Sequence, residues 1–214
     1  MNNLTLKLNW TSVSAALILA ATNLVSGQNL LNGSFELGIN PGVDTGLFAP
    51  DSTNITSWTV GSGSIDYVGS RWVAGQGSRS LDMTGVSPGS IFQDVSGFTV
   101  GRLYHLAFLL AGNPDAGPTI KTLQADIGAA SQVFTFDITG HTTANMGWAQ
   151  QQMDFLATGT TMRLTFTSLT AGNAGPALDF VNIVAVPEPG LLSLGVAAMG
   201  VAAFFRVRRA GIRN

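Results

Sequence analysis

The chain contains 214 residues, 10% of them charged, and no cysteine. The lack of cysteine excludes disulfides, thiol catalysis, zinc ribbons and cysteine-ligated iron–sulfur sites, so a hydrophobic core has to stabilise the fold. The formal net charge of −2 hides an uneven distribution, because residues 28–185 hold five cations and eleven carboxylates, a net charge of −6. This acidic body argues against nucleic acid as a partner, since phosphates need a cationic face.

Residues 1–27 have the order of a secretory signal peptide. Lys7 supplies the cation, residues 13–21 form an apolar run, and Val25-Ser26-Gly27 provides the small residues at a cleavage site. A retained N-terminal transmembrane helix is the alternative, although the run is too short to span a bilayer comfortably. The pattern therefore predicts export and cleavage after Gly27.

Residues 28–185 show short apolar or alternating runs and no sustained helical period. Each run ends at Gly, Pro, Asn or Asp, which is typical of β-strands joined by turns. Residues 58–60 and 65–68 flank a Gly-Ser-Gly turn and predict a hairpin, whereas residues 38–54 indicate a long loop. Residues 103–111 are the most apolar run and predict a central strand buried on both faces. The other predicted strands are 30–35, 80–83, 90–95, 122–127, 133–137, 149–157, 162–167 and 177–184.

This succession of strands predicts the fold class. Around ten strands without intervening helices indicate an all-β domain in which two antiparallel sheets pack together. A count above seven favours a jelly-roll β-sandwich over an immunoglobulin-like one. We therefore expect one jelly-roll domain over residues 28–185, between an N-terminal signal helix and a C-terminal hydrophobic helix.

Residues 186–214 consist of three successive parts. The first is a proline-containing motif, the second is an uncharged run over residues 191–205, and the third is an arginine cluster. As a helix the run would measure about 22 Å at ~1.5 Å per residue, short of the ~30 Å hydrocarbon layer. Arginines hold their flank on the cytoplasmic side, so the third part predicts a membrane stop. The motif is Val186, Pro187, Glu188 and Pro189, and the cluster contains Arg206, Arg208 and Arg209.

This three-part tail resembles the PEP-CTERM sorting signal of Gram-negative bacteria. The resemblance implies that a membrane-embedded exosortase recognises the motif and removes the tail. The helix of residues 191–205 would then hold the chain in the membrane only before processing. The mature protein would be released, or attached at the outer surface among exopolysaccharides. An ordinary C-terminal tail anchor is the alternative.

The body also contains several family-like motifs. They are Asn29-Leu-Leu-Asn-Gly-Ser-Phe-Glu36, Gly63-Ser-Ile-Asp-Tyr-Val-Gly69, Ser78-Arg-Ser-Leu-Asp82, Leu110-Ala-Gly-Asn-Pro114, Phe134-Thr-Phe-Asp137, Met146-Gly-Trp148 and Gly175-Pro-Ala-Leu-Asp179. Together they resemble the choice-of-anchor C family, which is similar to a plant cell-wall family with a galactose-binding-like jelly roll. The resemblance implies a location at the cell surface and carbohydrate binding without catalysis.

Glu36 and Asp179 form a polar pair near the first and last predicted strands. Many jelly-roll carbohydrate-binding modules begin and end in a similar way, with a structural calcium between their terminal strands. Calcium needs several carboxylate and carbonyl oxygens, so the resemblance implies a calcium site here. Phe180 stands where a second acid is usual, which departs from that pattern. The alternative is an exposed Glu36 and an Asp179 that accepts from backbone donors.

A sugar site generally combines an aromatic ring with a few hydrogen-bonding side chains. Trp58, Tyr67, Trp72 and Trp148 are the candidate rings, and Trp58 alternates with Val60 and should pack inward. Trp72 is the preferred one, because it lies in a turn-like stretch near polar side chains. Tryptophans that fill the core or the rim are the alternative. The predicted ligand-binding residues are Trp72, Arg71, Tyr67, Arg79 and Asp82, with Gln76 close by.

The sequence offers little for catalysis. His105 lies in the apolar run and His141 follows Thr139-Gly140, so we expect a core or edge residue and a turn residue, respectively. Neither a Gly-x-Ser-x-Gly elbow nor a His-Glu-x-x-His helix is present. We therefore expect an exported surface or matrix protein that associates with exopolysaccharide or envelope glycans without catalysis. A structural matrix or adhesion protein is the alternative, and a glycoside-acting enzyme with paired carboxylates is the third hypothesis.

Overall fold

The computed structural model describes residues 28–187. These residues form eleven strands and no helix, and within them no helix is long and apolar enough to cross a membrane. The strands are β1 (Asp44–Phe48), β2 (Thr59–Ser62), β3 (Ser64–Val68), β4 (Ser80–Asp82), β5 (Ser90–Ser96), β6 (Leu103–Gly112), β7 (Ile120–Ile127), β8 (Ala130–Asp137), β9 (Ala149–Leu156), β10 (Thr161–Ser168) and β11 (Pro176–Ala185).

The strands form two antiparallel sheets. One has six strands in the order β1-β3-β4-β11-β6-β9, and the other has five in the order β2-β5-β10-β7-β8. Only the β3–β4 and β7–β8 connections stay within one sheet, so the chain changes sheet at the remaining eight connections. This frequent crossing is how a double-sheet jelly roll is wound. The predicted all-β sandwich is therefore confirmed.

The core lies between the two sheets and is rich in aromatic rings. The Phe108 ring contacts Phe134 and Phe166 edge-on, with centroid distances of 5.0 and 5.1 Å. Trp58 is 1% exposed, and its indole N–H donates to the Asn32 carbonyl at 3.0 Å. Edge-on pairs stabilise by more than their buried area alone. The predicted inward packing of Trp58 is confirmed.

The N-terminal part of the domain differs from the prediction. Residues 30–35 are not a strand, because Asn32 and Phe35 have φ angles of 52° and 58°, in the left-handed region. The first strand, β1, instead lies within the predicted loop over residues 38–54. It is a short edge strand in which only Leu47 is buried, so its apolar signal was too weak to predict it.

The predicted hairpin between residues 58–60 and 65–68 is wrong. The two strands there, β2 and β3, belong to different sheets. Gly63 joins them with a φ of +56°, and a Cβ at this position would lie 2.0 Å from the Pro88 carbonyl oxygen. The Gly-Ser-Gly sequence therefore forms a corner between the sheets, at a place where only glycine fits.

Strand β6 lies between β11 and β9 as an inner strand of its sheet. It is not buried on both faces along its whole length: Leu106 and Phe108 are fully buried, whereas His105, Ala107 and Leu109 are half-buried on the outer face. The prediction of two buried faces is wrong for this part, because the outer face is only partly covered. The other predicted strands, apart from 30–35, are confirmed to within three residues at each end.

Both ends of the domain leave from the same end of the sandwich. The backbone N–H of Asn29 donates to the Ser96 carbonyl at 2.9 Å, and that of Val186 donates to the Leu103 carbonyl at 3.0 Å. Residues 97–102 connect these two acceptors. The predicted signal peptide over residues 1–27 lies outside the described residues. The predicted tail helix over residues 191–205 also lies outside them. The same holds for the motif residues Glu188 and Pro189 and for the cluster of Arg206, Arg208 and Arg209.

Candidate functional site

Residues 69–79, which connect β3 to β4, fold across the outer face of the six-stranded sheet. Trp72 is 5% exposed, and its indole N–H donates to Ser80 Oγ at 2.8 Å. The indole N–H of Trp148 donates to the Val73 carbonyl at 2.9 Å. Two tryptophans therefore hold this segment on the sheet, while the outer face beyond it, over β6, β9 and the second half of β11, stays open.

Two carboxylates hold the end of the segment, residues 75–79, which we call the clamp loop. Glu36 Oε1 accepts from the backbone N–H of Ser78 at 2.8 Å and of Arg79 at 2.9 Å. Asp179 Oδ2 accepts from the backbone N–H of Gln76 at 2.8 Å, and its Oδ1 accepts from that of Phe180 at 2.6 Å. Asp179 thus joins the clamp loop to its own strand, β11. The polar pair predicted from the sequence meets on one loop.

The environments of the two carboxyl groups differ. Partial burial would raise the pKa of Glu36, but hydrogen bonds from Ser78 and Arg79 outweigh it and lower that pKa below its ordinary value. Burial raises the pKa of Asp179 to about 7, against the opposing effect of N–H donors that include Gln76 and Phe180. Glu36 is therefore the ionised member of the pair near neutral pH, whereas Asp179 titrates there.

The predicted calcium site does not fit the contacts of these two residues. Their four carboxylate oxygens face N–H or O–H donors, whereas calcium takes six to eight oxygen ligands. Among residues 28–187, no group of three or more His, Cys, Asp or Glu is arranged to hold a metal ion. We therefore assign Glu36 and Asp179 to the clamp loop, and calcium between them stays an untested prediction.

Beside the clamp loop lies a cavity of about 280 Å³, which we call the sheet-face groove. Leu109 and Ala107 of β6 form its floor, since alternate residues of a strand face the same side. Leu109 is paired with Gln150 on β9, and Ala107 is paired with Asn182 on β11. The groove is bordered by Gln76, Gln150, Phe180 and Asn182. Its volume is just below the ~300–1,000 Å³ common for ligand pockets.

Phe180 stands at the rim of this groove in an unusual conformation. It has a φ of 48°, it lies in the irregularity between Asp179 and Asn182 where β11 loses register with β6, and it is 45% exposed. The adjacent Val181 N–H donates to the Gly33 carbonyl at 2.8 Å. A Cβ on Gly33 would lie 2.1 Å from the Val181 carbonyl oxygen. This close contact fixes the bulge, and bulges often re-aim a side chain beside a functional site.

The hydrogen-bonding groups of the groove are available. Within residues 28–187, the side-chain amides of Gln76, Gln150 and Asn182 form no hydrogen bond to another residue. A carboxamide both donates and accepts, so three such groups around an exposed ring match the alternating donors and acceptors of sugar hydroxyls. The residues that line the groove include no charged side chain.

The structure does not bring the five predicted ligand-binding residues together in this groove. Trp72, Tyr67 and Asp82 are buried. The Tyr67 hydroxyl accepts from Arg79 Nη1 at 2.9 Å, and burial raises the pKa of Asp82 to about 7 although Asn113 hydrogen-bonds to it. Arg71 is exposed and forms ion pairs with two carboxylates, at 2.6 and 2.8 Å. It lines a second, polar cavity of about 300 Å³ at the opposite end of β11 from Ala185.

The histidines and paired acids do not form an obvious catalytic constellation. His105 Nδ1 contacts Asp154 on the neighbouring edge strand, and the His141 ring packs against Phe136 with a centroid distance of 5.1 Å. Asp66 and Asp82 are cross-strand neighbours. Asp82 is 1% exposed, so this pair does not present two accessible carboxylates to a glycosidic bond.

The fold and the groove define a two-sheet β-sandwich with an open site on one sheet face. Residues 28–184 match the family described as "Protein of unknown function (DUF642)", and the chain belongs to this family. Halomucin of Haloquadratum walsbyi (strain DSM 16790 / HBSQ001) is 32% identical over 169 residues. That match covers 78% of this chain, which spans only 2% of the length of halomucin.

Solved structures with a similar arrangement include carbohydrate-binding modules. TmCBM61, in complex with beta-1,4-galactotriose, gives a TM-score of 0.45 at 15% identity and covers 73% of this chain and 97% of its own. CBM35 from Cellvibrio japonicus Abf62 gives a TM-score of 0.43 at 14% identity and covers 66% of this chain and 92% of its own.

Proposed function

We propose that this chain is a non-catalytic glycan-binding protein that acts outside a Gram-negative bacterial cell. The observation that carries the proposal is the exposed Phe180 ring, which a strained bulge holds at the rim of a groove bordered by free amides. Left-handed backbone costs a residue such as phenylalanine about 1–2 kcal/mol. The bulge turns Val181 and Ile183 into the core, whereas the Phe180 ring itself contributes nothing to the core, because it is exposed.

The chemistry of the groove suits a sugar. The apolar C–H face of a pyranose packs on an aromatic ring, and amide side chains then fix the orientation of the hydroxyls. Phe180 and the pair Gln76 and Gln150 provide both parts within one cavity. The groove itself is lined by no His, Asp, Glu, Lys or Tyr that would transfer a proton. These features support binding without turnover.

Delivery to the cell surface belongs to the same proposal. The signal peptide over residues 1–27 exports the chain, and exosortase recognises Val186-Pro187-Glu188-Pro189 and removes the tail. The membrane-stop arginines hold the precursor until that step. The body would then be a choice-of-anchor C domain that associates with exopolysaccharide or envelope glycans.

A glycan array probed with the full chain in mild detergent tests the binding function. We expect retention on at least one polysaccharide, and a loss of about tenfold in affinity for Phe180→Ala, because the stacking ring is removed. Phe48→Ala is the matched control: Phe48 is 58% exposed on the edge strand of the same sheet and lies outside the groove, so this variant should bind normally.

The other outcomes decide between the hypotheses. Retention on no glycan would favour the structural matrix or adhesion protein. Retention that is equal in the wild type and Phe180→Ala would remove the groove as the site. Turnover of a polysaccharide that disappears when one carboxylate is replaced would support the glycoside-acting enzyme.

A further inference from the structure

We infer that the sheet-face groove selects uncharged glycans and excludes those that carry uronate or sulfate groups. This inference names the substrate class of the proposed binding site and therefore rests on the proposed function. It depends on which charged groups surround the groove and where their partners lie.

Three carboxylates lie behind or beside the residues that line the groove, and that lining includes no cation. Asp179 lies directly behind Gln76 and Phe180, whose backbone N–H groups it accepts. Glu36 lies behind the clamp loop. Asp154 is the next outward-facing residue after Gln152 on β9. An anionic sugar placed on Phe180 would therefore lie near the ionised Glu36 and would find no cation among the residues that line the groove.

The charged side chains near the groove already have partners within the protein. Arg79 Nη1 donates to the Tyr67 hydroxyl at 2.9 Å, and neither residue lines the groove. The Asp154 carboxylate also has a partner, because His105 Nδ1 on the neighbouring strand contacts it. No Lys or Arg is among the residues that line the groove. Recognition of a carboxylate or sulfate normally uses such a cation, because amides leave the buried charge uncompensated.

The amides are placed to replace the water around uncharged hydroxyls. Asn182 and Gln152 lie on the two strands that flank Ala107, and neighbouring strands are ~4.8 Å apart. Gln150 holds the equivalent position beside Leu109. The small side chain of Ala107 leaves the floor of the groove low between Asn182 and Gln152. This arrangement offers donors and acceptors on both sides of a sugar ring and no net charge.

The test compares neutral and acidic polysaccharides on the full chain in detergent. Affinity electrophoresis in gels that contain neutral galactan, glucan or mannan, or polygalacturonate or alginate, measures retention at equal sugar concentration. We expect binding to at least one neutral polymer, and binding to the uronate polymers that is about tenfold weaker or undetectable. Raising the salt concentration should change the neutral affinity little, since no ion pair contributes to it.

A charge substitution tests the same inference in the opposite direction. Gln150→Lys places a cation at the exposed rim of the groove and should raise retention on the uronate polymers about tenfold at low salt. Gln132→Lys is the control, because Gln132 is an exposed residue of β8 in the other sheet. The substitution adds the same charge outside the groove. This control should leave both affinities unchanged.

The results separate the inference from the function on which it rests. Equal or tighter retention of the wild type on uronate polymers, abolished by Phe180→Ala, would overturn the inference and leave glycan binding intact. An equal gain for Gln150→Lys and Gln132→Lys would also overturn it, since the effect would then come from net charge. Retention on no polymer of either class would overturn both.

Discussion

The left-handed backbone at Phe180 leads to a prediction in which two substitutions differ in their effect on stability but not in their effect on glycan binding. In an ordinary strand, glycine is about 0.5–1 kcal/mol less stable than alanine, because its unfolded chain has more freedom to lose. At Phe180 the φ of 48° reverses the order, since left-handed backbone costs an alanine about 1–2 kcal/mol. We therefore expect Phe180→Gly to be about 0.5–1 kcal/mol more stable than Phe180→Ala.

Urea unfolding of the two variants measures this difference, and the pair isolates the backbone because both remove the ring. The control pair is Phe48→Ala and Phe48→Gly in the extended strand β1, where alanine should be the more stable by a similar amount. Both Phe180 variants should lose glycan retention equally, whereas both Phe48 variants should keep it. A Phe180→Gly chain that is less stable than Phe180→Ala would refute the account of the bulge.

Three further predictions concern the buried acids and the tail. Asp82 has a pKa raised to about 7 by burial, so the folded chain keeps a proton that the unfolded chain releases above its ordinary pKa near 4. Stability should therefore fall as pH rises from about 4 to 7. Asp179 has a similarly raised pKa of about 7, so Asp82→Asn should reduce that slope without abolishing it in urea unfolding at pH 5 and 8, and an unchanged slope would contradict the assignment. The contacts of Glu36 and Asp179 predict that EDTA leaves the melting temperature unchanged, whereas a drop restored by calcium would establish the metal. Mass spectrometry of protein from its native host should lack peptides beyond Pro189; an intact Asn214 would indicate a plain tail anchor.

The sheets were predictable wherever one face of a strand is buried. Strands β7 to β10 alternate apolar and polar residues, as in Val133-Phe134-Thr135-Phe136, and their period of two fixes both the element and its inward face. The pairing partners were not predictable, because a strand can end at a turn or cross to the other sheet with the same local sequence. The corner at Gly63 shows this, because its glycine is required by the close approach of Pro88, which is distant in sequence.

The sequence predicts the kind of site, an aromatic ring beside hydrogen-bonding side chains, better than it predicts which residues form it. The sequence favours Trp72 because polar side chains adjoin it in the chain, but in the fold those neighbours diverge and the indole is buried over the sheet. From the sequence, Phe180 stands out only because it occupies the position where the calcium pattern has a second acid. The sequence did carry one signal for it: the inward-facing Leu178 and Val181 lie three residues apart, although a regular strand requires an even number. The contact with Gly33 that fixes this bulge is tertiary and has no local signature.

The position of the two ends of the domain has a consequence for how the protein would work on a surface. A copy attached through the tail would have Asn29 and Val186, at the two ends of the domain, on the side of the attachment. Phe180 lies five residues before Ala185 on β11, which at ~3.3 Å per residue is about 16 Å along the strand. Neighbouring copies would carry their grooves at one common height, facing sideways. A long polysaccharide running parallel to the surface would then engage several copies at once, so weak individual contacts would add up to firm retention.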